Sequence, residues 1–200
     1  MRSVLVTGFE PFAGQRVNPS QLAVGELAGR TIAGRKIETA VLPVVFGDAT
    51  AALRRALRRY RPSLVICVGE AGGREAISIE RVAINIDDAR IADNAGAQPI
   101  DRAIARRGPA AYWSTLPIKA IAAALARRGI PAAVSQTAGT FVCNHVFYGL
   151  MRTLARQRGV RGGFIHVPFV RGHGRPSLPL ATIVDGLELA IATSVRVRRE

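Results

Sequence analysis

The chain has 200 residues, of which 48% are hydrophobic, 28 are Lys or Arg and 14 are Asp or Glu. That length suits one domain over residues 1–200 with a full core, and that apolar content excludes a disordered chain. The formal charge of +14 raises a nucleic-acid-binding reading. However, Lys36 and Lys119 are its only lysines and the other 26 basic residues are arginines, with no zinc-finger or aromatic RNA-binding signature among them.

In chain order, "SVLVTG" reads as a short apolar strand followed by the Gly/Pro loop "FEPFAGQRVNPS". Asn18 is placed to cap a helix with Pro19 in its first turn, running to about Gly29. "KIETAVLPV" is a strand and "GDATAALRRALRRY" a helix. In that helix Leu53, Ala56, Leu57 and Tyr60 fall at i, i+3, i+4 and i+7, so Arg54, Arg55, Arg58 and Arg59 form a solvated face. "SLVICVG" is an unbroken apolar run, hence a buried strand that makes Cys67 a core residue. "AISIERVAINI" alternates with a phase shift near Glu80, which predicts a strand with a turn or bulge there. Residues 87–112 are polar and too long for an ordinary connection, so functional or interface use is expected. "LPIKAIAAALARRG" is a helix, "AAVSQT" a strand, residues 143–157 a helix, "GGFIHVPF" a strand and "LPLATIVDGLELAIATSV" a closing helix. The alternation predicts an α/β domain, a mostly parallel sheet with helices on both faces, with its site outside the carboxyl ends of the strands.

Two cysteines in such different settings do not make a disulfide framework, and this favours a cytoplasmic protein. The first residues, "MRSVLVTGFEPF", hold too short an apolar run for a signal peptide, and no segment has the length of a membrane span.

Cys143, in "TAGTFVCNHVFYG", stands where a loop becomes a helix, since Val146, Leu150 and Leu154 then recur every four residues. Free N–H groups and the helix dipole at such a position favour a thiolate, which makes Cys143 a candidate nucleophile. A cysteine nucleophile needs a base. His145 is two residues away, about 200° around a helix, and points elsewhere. His173 lies in the Gly-flanked loop "RGHGRPS". His166 ends the apolar run "GGFIH" at the carboxyl end of a strand and is the chosen base. For a third, orienting group, Glu80 stands in an apolar strand region, where glutamate is rarely buried without a partner. Asp87 and Asp88 are open alternatives. There is no CxxC, no HExxH and no close ligand pair for zinc.

These residues carry a family resemblance. The segments "VLVTGFEPFAG", "VNPS", "GGREAISIERVAINIDDARIADN", "GTFVCNHVFYGL" and "FIHVPF" resemble those of pyroglutamyl peptidase type I (pyrrolidone-carboxylate peptidase), a family of cysteine peptidases, across nearly the whole chain. The resemblance implies a three-layer α/β/α sandwich around a twisted, mostly parallel mixed sheet, often assembled as a homotetramer. It implies hydrolytic removal of an amino-terminal pyroglutamyl residue from peptides, with a Glu80–Cys143–His166 triad and neither cofactor nor metal. It also implies an auxiliary role for Arg90 and a substrate pocket from Phe9, Phe12, Ile91, Phe141 and Val142. Two positions depart from the family pattern. Ala92 stands where proline is expected, and Glu70 stands where glutamine or an apolar residue is expected, at a strand end touching the pocket. Arg74 and Arg90 are candidate ion-pair partners for Glu70, and a raised pKa from burial is the other way to carry a carboxyl there. The rival from another class is a basic nucleic-acid-binding α/β protein without peptidase activity.

Overall fold

The structure, a computed structural model, describes residues 3–197. In chain order its elements are β1 (Val4–Phe9), α1 (Pro19–Leu27), β2 (Thr31–Ile32), β3 (Arg35–Leu42), α2 (Asp48–Tyr60), β4 (Leu64–Glu70), β5 (Ile77–Glu80), β6 (Val82–Ile84), β7 (Ala111–Trp113), α3 (Ile118–Arg127), β8 (Ala132–Ser135), α4 (Val142–Leu154), β9 (Arg161–Val167), β10 (Phe169–Val170), β11 (Ser177–Leu178) and α5 (Leu180–Arg196). The main sheet has the order β2-β3-β1-β4-β9-β5-β8. Strands β3, β1, β4 and β9 run parallel to one another, as the buried apolar runs require. Strands β5 and β8 are parallel to each other, but β5 is antiparallel to β9. The three-layer sandwich and mixed sheet are as expected, and the change of direction falls between the strands carrying His166 and Glu80.

Alternation along each strand sorts the two cores. Val4, Val6, Leu64, Ile66, Val68, Ile77, Ile79 and Ile165 pack with Leu27 of α1, Leu125 of α3 and Leu187 of α5. Leu5, Val65, Cys67 and Phe164 face the other way, toward Leu53 of α2 and Val146 and Leu150 of α4. In α2 the faces divide as periodicity requires: Leu53, Ala56 and Leu57 are buried, while Arg54, Arg55, Arg58 and Arg59 are exposed. Cys67 is fully buried, and burial pushes its thiol up to about 12, so it is an inert part of this core.

The phase shift near Glu80 has a structural cause. At Arg81 the chain leaves the main sheet, and β6 pairs instead with β7 in a separate antiparallel ribbon. The capping expectation also holds: Asn18 accepts from Ser20 N–H at 2.9 Å, and Pro19 opens α1. Asn18 and Ser20 then fasten the loop after β1, through Asn18 Nδ2 to Glu10 O and Phe9 N–H to Ser20 Oγ. Gly8 permits this contact, because a Cβ there would lie 2.6 Å from the Ser20 carbonyl oxygen.

The polar stretch 87–112 is tied down rather than loose. Asp93 is buried and accepts from the N–H groups of Phe46, Ala95 and Ala97. Asn94 reaches Glu10 Oε1 and Pro11 O, and Glu10 Oε1 also accepts from Val44 N–H. Asp88 N–H donates to Thr140 O, and Thr140 Oγ1 to Asp88 O. These bonds gather the segments after β1, after β3 and before α4 around one end of the sheet.

Candidate active site

Helix α4 begins at Val142, with Phe141 at the N-cap in extended conformation and no side-chain cap. Cys143 is thus in the first turn, where backbone N–H groups lack helical acceptors. Asn144 anchors that turn: Oδ1 accepts from Ile84 N–H at 3.0 Å, and Nδ2 donates to the carbonyls of Ile84 and Ile86. Below the thiol lies Gly69 of β4. A Cβ on Gly69 would sit 2.9 Å from Cys143 Sγ and 2.9 Å from Phe164, so glycine is what lets the thiol approach the sheet. Gly69 is the register partner of His166 on β9. The helix start and the strand histidine are thereby set side by side.

His166 and Glu80 project from the same face of the sheet. Ser78 stands opposite His166 across the antiparallel β5–β9 pair, and Glu80 is two residues further along β5. His166 Nδ1 lies 2.7 Å from Glu80 Oε1. The ionised carboxylate only accepts, so Nδ1 carries the proton and Nε2 is left with its lone pair. Phe164 packs on the imidazole with centroids 4.8 Å apart. Glu80 has no exposed surface and His166 is 4% exposed. Burial pushes Glu80 upward, but the hydrogen bond from His166 and the attraction of its ring when protonated outweigh it, with smaller contributions from Ser135 and Arg74, and hold Glu80 below the usual carboxylate range. Burial likewise lowers His166 more than Glu80 raises it, so the imidazole is neutral at pH 7. The Cys143 thiol is pushed up to about 12, first by burial and then by the negative charges of Glu80 and Glu70, with Arg74 opposing. The resting pair is therefore thiol and imidazole, not thiolate and imidazolium.

Arg74 is the residue that sequence reasoning misplaced. It does not pair with Glu70. Its Nη1 meets Glu80 Oε1 at 2.6 Å, the oxygen that also binds His166, and its Nη2 donates to Thr137 O in the loop before Cys143. The spacing R-x₅-E carries no helical or strand signal. The contact exists only because the turn before β5 folds back over it.

Glu70 ends β4 and, by alternation, lies on the face of Val68, opposite that of Gly69 and the thiol. Neither candidate arginine pairs with it; its Oε2 is buried without a hydrogen-bond partner among the described residues, and burial raises its pKa to about 7. Arg90 is exposed and makes no ion pair among the described residues. Of the expected pocket residues, Phe12 and Phe141 are half-buried and tilt toward each other at 6.2 Å. Ile91 is half-buried, whereas Phe9 and Val142 are 2% and 1% exposed and belong to the core beneath. Phe46, which periodicity did not single out, meets Phe141 edge-on at 5.4 Å. Asp87 binds His145 rather than His166, and His173 is exposed in its loop.

Such a site on such a fold defines the protein as a cysteine-type hydrolase. The sequence profile of the pyroglutamyl peptidase family matches residues 2–197. A pyrrolidone-carboxylate peptidase of Klebsiella pneumoniae is 57% identical, over 98% of this chain and 94% of that protein. Pyrrolidone-carboxylate peptidase 1 of Ralstonia nicotianae is 59% identical, with the same coverage. The crystal structure of pyroglutamyl peptidase I from Bacillus amyloliquefaciens superposes with a TM-score of 0.95 at 48% identity, covering 98% of each chain. A variant pyrrolidone carboxyl peptidase from the hyperthermophile Pyrococcus furiosus gives 0.92 at 41% identity, covering 96% of this chain and 98% of that one. The chain belongs to the pyroglutamyl peptidase family.

Two predictions follow from the charges. Arg74→Ala removes a cation that lowers the pKa of both His166 and Cys143. The acid limb of kcat/KM is expected to move to higher pH, with a loss of about tenfold at neutral pH; an unmoved profile would place Arg74 outside the catalytic charge network. Glu70→Gln addresses the other carboxyl. Its folded pKa of about 7 lies above the ordinary 4.5, so the wild type loses stability as pH rises through 7. The variant is expected to match wild type near pH ~5 and to melt several degrees higher near pH ~9, on the order of 1–3 kcal/mol. Parallel melting curves across that range would show Glu70 to be solvated.

Proposed function

We propose that this chain performs the hydrolysis for which its family is named, cleaving the amide bond after an amino-terminal pyroglutamyl residue. The observation that carries this reading is the buried Glu80–His166 hydrogen bond, which leaves Nε2 with a lone pair on the histidine that stands opposite Gly69, the glycine over which the Cys143 thiol lies. His166 Nε2 takes the thiol proton as the sulfur attacks the carbonyl carbon that follows the lactam ring. The tetrahedral oxyanion is met by the Cys143 N–H at the start of α4. Collapse expels the amine, which takes the proton from Nε2, and leaves a thioester. Water, deprotonated by the same nitrogen, then releases pyroglutamate. Glu80 holds the imidazole in its Nδ1–H form and offsets the imidazolium charge that develops during each step.

The ring slot fits an uncharged, flat terminus. By family resemblance the half-buried Phe12, Phe141 and Ile91 line it, with Phe9 and Val142 in the core beneath. None of these side chains offers an ammonium a counter-charge. The guanidinium of Arg90 is free to meet the polar side of the bound peptide, which is the auxiliary role assigned to it. Glu70 acts on the site through its charge. We also read the protein as a cytoplasmic homo-oligomer, a tetramer by family resemblance. The exposed side chains of Ile100 and Trp113 are apolar surface that assembly would cover, and among the described residues no helix is long and apolar enough to cross a membrane. The reaction needs no cofactor.

The test is release of a fluorogenic amine from a pyroglutamyl conjugate, beside prolyl and glutamyl conjugates that carry a free amino group. The pyroglutamyl conjugate alone is expected to turn over efficiently. Cys143→Ser is expected to abolish turnover, and His166→Ala to cost about 10²–10⁴ in rate. Cys67→Ser is expected to keep kcat and to lower only the melting temperature. Efficient cleavage of the prolyl conjugate, or near-native turnover by Cys143→Ser, would contradict the reading.

A further inference from the structure

His145 takes no part in the chemistry above, yet both of its ring nitrogens are engaged. Nδ1 lies 2.9 Å from Asp87 Oδ2, and Gly47 N–H donates to Nε2 at 3.3 Å. An amide N–H can only donate, so Nε2 is the acceptor and Nδ1 carries a proton to Asp87. The ring is thus fixed in one orientation, against a carboxylate that is itself buried. It also stands perpendicular to Phe46, with centroids 5.5 Å apart. Phe46 in turn meets Phe141 edge-on, and Phe141 faces Phe12. The backbone of Phe46 is held from the far side by Asp93 Oδ2 at 2.8 Å. One contiguous run of contacts therefore joins the segment after β6, the first turn of α4, the segment after β3 and the residue before Val142.

We infer that His145 is a positioning residue for substrate binding: it holds the Phe46 segment against Phe141 and so sets the width of the slot that takes the lactam ring. The inference rests on the proposed role of Phe141 as a wall of that slot. Loss of the imidazole takes the acceptor from Gly47 and the ring neighbour from Phe46, and Phe141 then loses its edge contact. The triad keeps its place, because His166 and Glu80 stand on other elements and the turn of α4 that carries Cys143 is anchored separately, by Asn144 to Ile84 and Ile86. The loss falls equally on ground state and transition state, which raises KM and spares kcat.

A double-mutant cycle reads this coupling. His145→Ala, Phe46→Ala and the double variant are assayed for kcat and KM on a pyroglutamyl conjugate, with the iodoacetamide alkylation rate of Cys143 and the melting temperature measured beside them. Each single change is expected to raise KM about tenfold, with kcat and alkylation rate within about twofold of wild type. The double variant is expected to be no worse than the more severe single one, because both remove the same support. His145→Gln, whose amide offers an acceptor and a donor, is expected to recover most of the KM and covers the case in which His145→Ala does not fold. Multiplicative KM effects would overturn the inference, as would an unchanged KM in His145→Ala. So would a kcat and alkylation rate that fall along with binding, since that is the mark of a merely structural role. A wild-type protein inactive on the conjugate would instead sink the functional reading on which this rests.

Discussion

An ionised carboxylate without exposed surface costs several kcal/mol to bury unless its charge is matched, and Glu80 is such a group. The matching is concentrated on one atom. Oε1 lies 2.7 Å from His166 Nδ1 and 2.6 Å from Arg74 Nη1, while Oε2 has no hydrogen-bond partner among the described residues. Arg74, about a third exposed, closes the end of the sheet over the carboxylate and ties the turn before β5 to the loop before Cys143. The fold makes room for this through the reversal between β9 and β5. A parallel β5 would have carried Glu80 out at the same edge as the loop after β9. Running antiparallel, β5 holds it within the sheet, where water cannot compete for the imidazole.

The electrostatics of the resting site follow from that burial. Two carboxylates raise the Cys143 thiol and one arginine opposes them, while the apolar surround keeps His166 neutral. In the proposed mechanism the nucleophile is stored as a thiol and becomes a thiolate only as the substrate is attacked. In that mechanism the helix start contributes at the same moment, its free N–H groups meeting the charge that moves from sulfur to oxygen. Gly69 belongs to the same design. The absence of a side chain there sets how near the thiol comes to the strand that neighbours His166.

Much of this was legible in the sequence, and the pattern of success is physical. Apolar runs and helical periodicity report burial, so the alternation of strands and helices, the inert Cys67 and the solvated arginine face of α2 could all be read. Glu80 was legible because a charge in an apolar strand demands a partner, and the phase shift beside it marked the point where the chain changes sheets. What stayed hidden depends on contacts between residues far apart in the chain. The direction of β5 decides that Arg74 serves Glu80 rather than Glu70. Asn144 reaches Ile84 and Ile86, and His145 reaches Asp87 and Gly47, over separations of 58 to 98 residues that leave no local pattern. The strands β2, β7, β10 and β11 are two or three residues long, too short for alternation to show.

The central claim is that Cys143, supported by His166 and the buried Glu80, forms a covalent bond to the pyroglutamyl carbonyl. It is tested most directly by quenching the enzyme in acid during turnover of an activated pyroglutamyl ester and mapping the acylated peptide by mass spectrometry. The account predicts a pyroglutamyl adduct confined to the peptide that contains Cys143 and absent after prior alkylation of that thiol. An adduct on another residue, or turnover that persists with Cys143 alkylated, would contradict it.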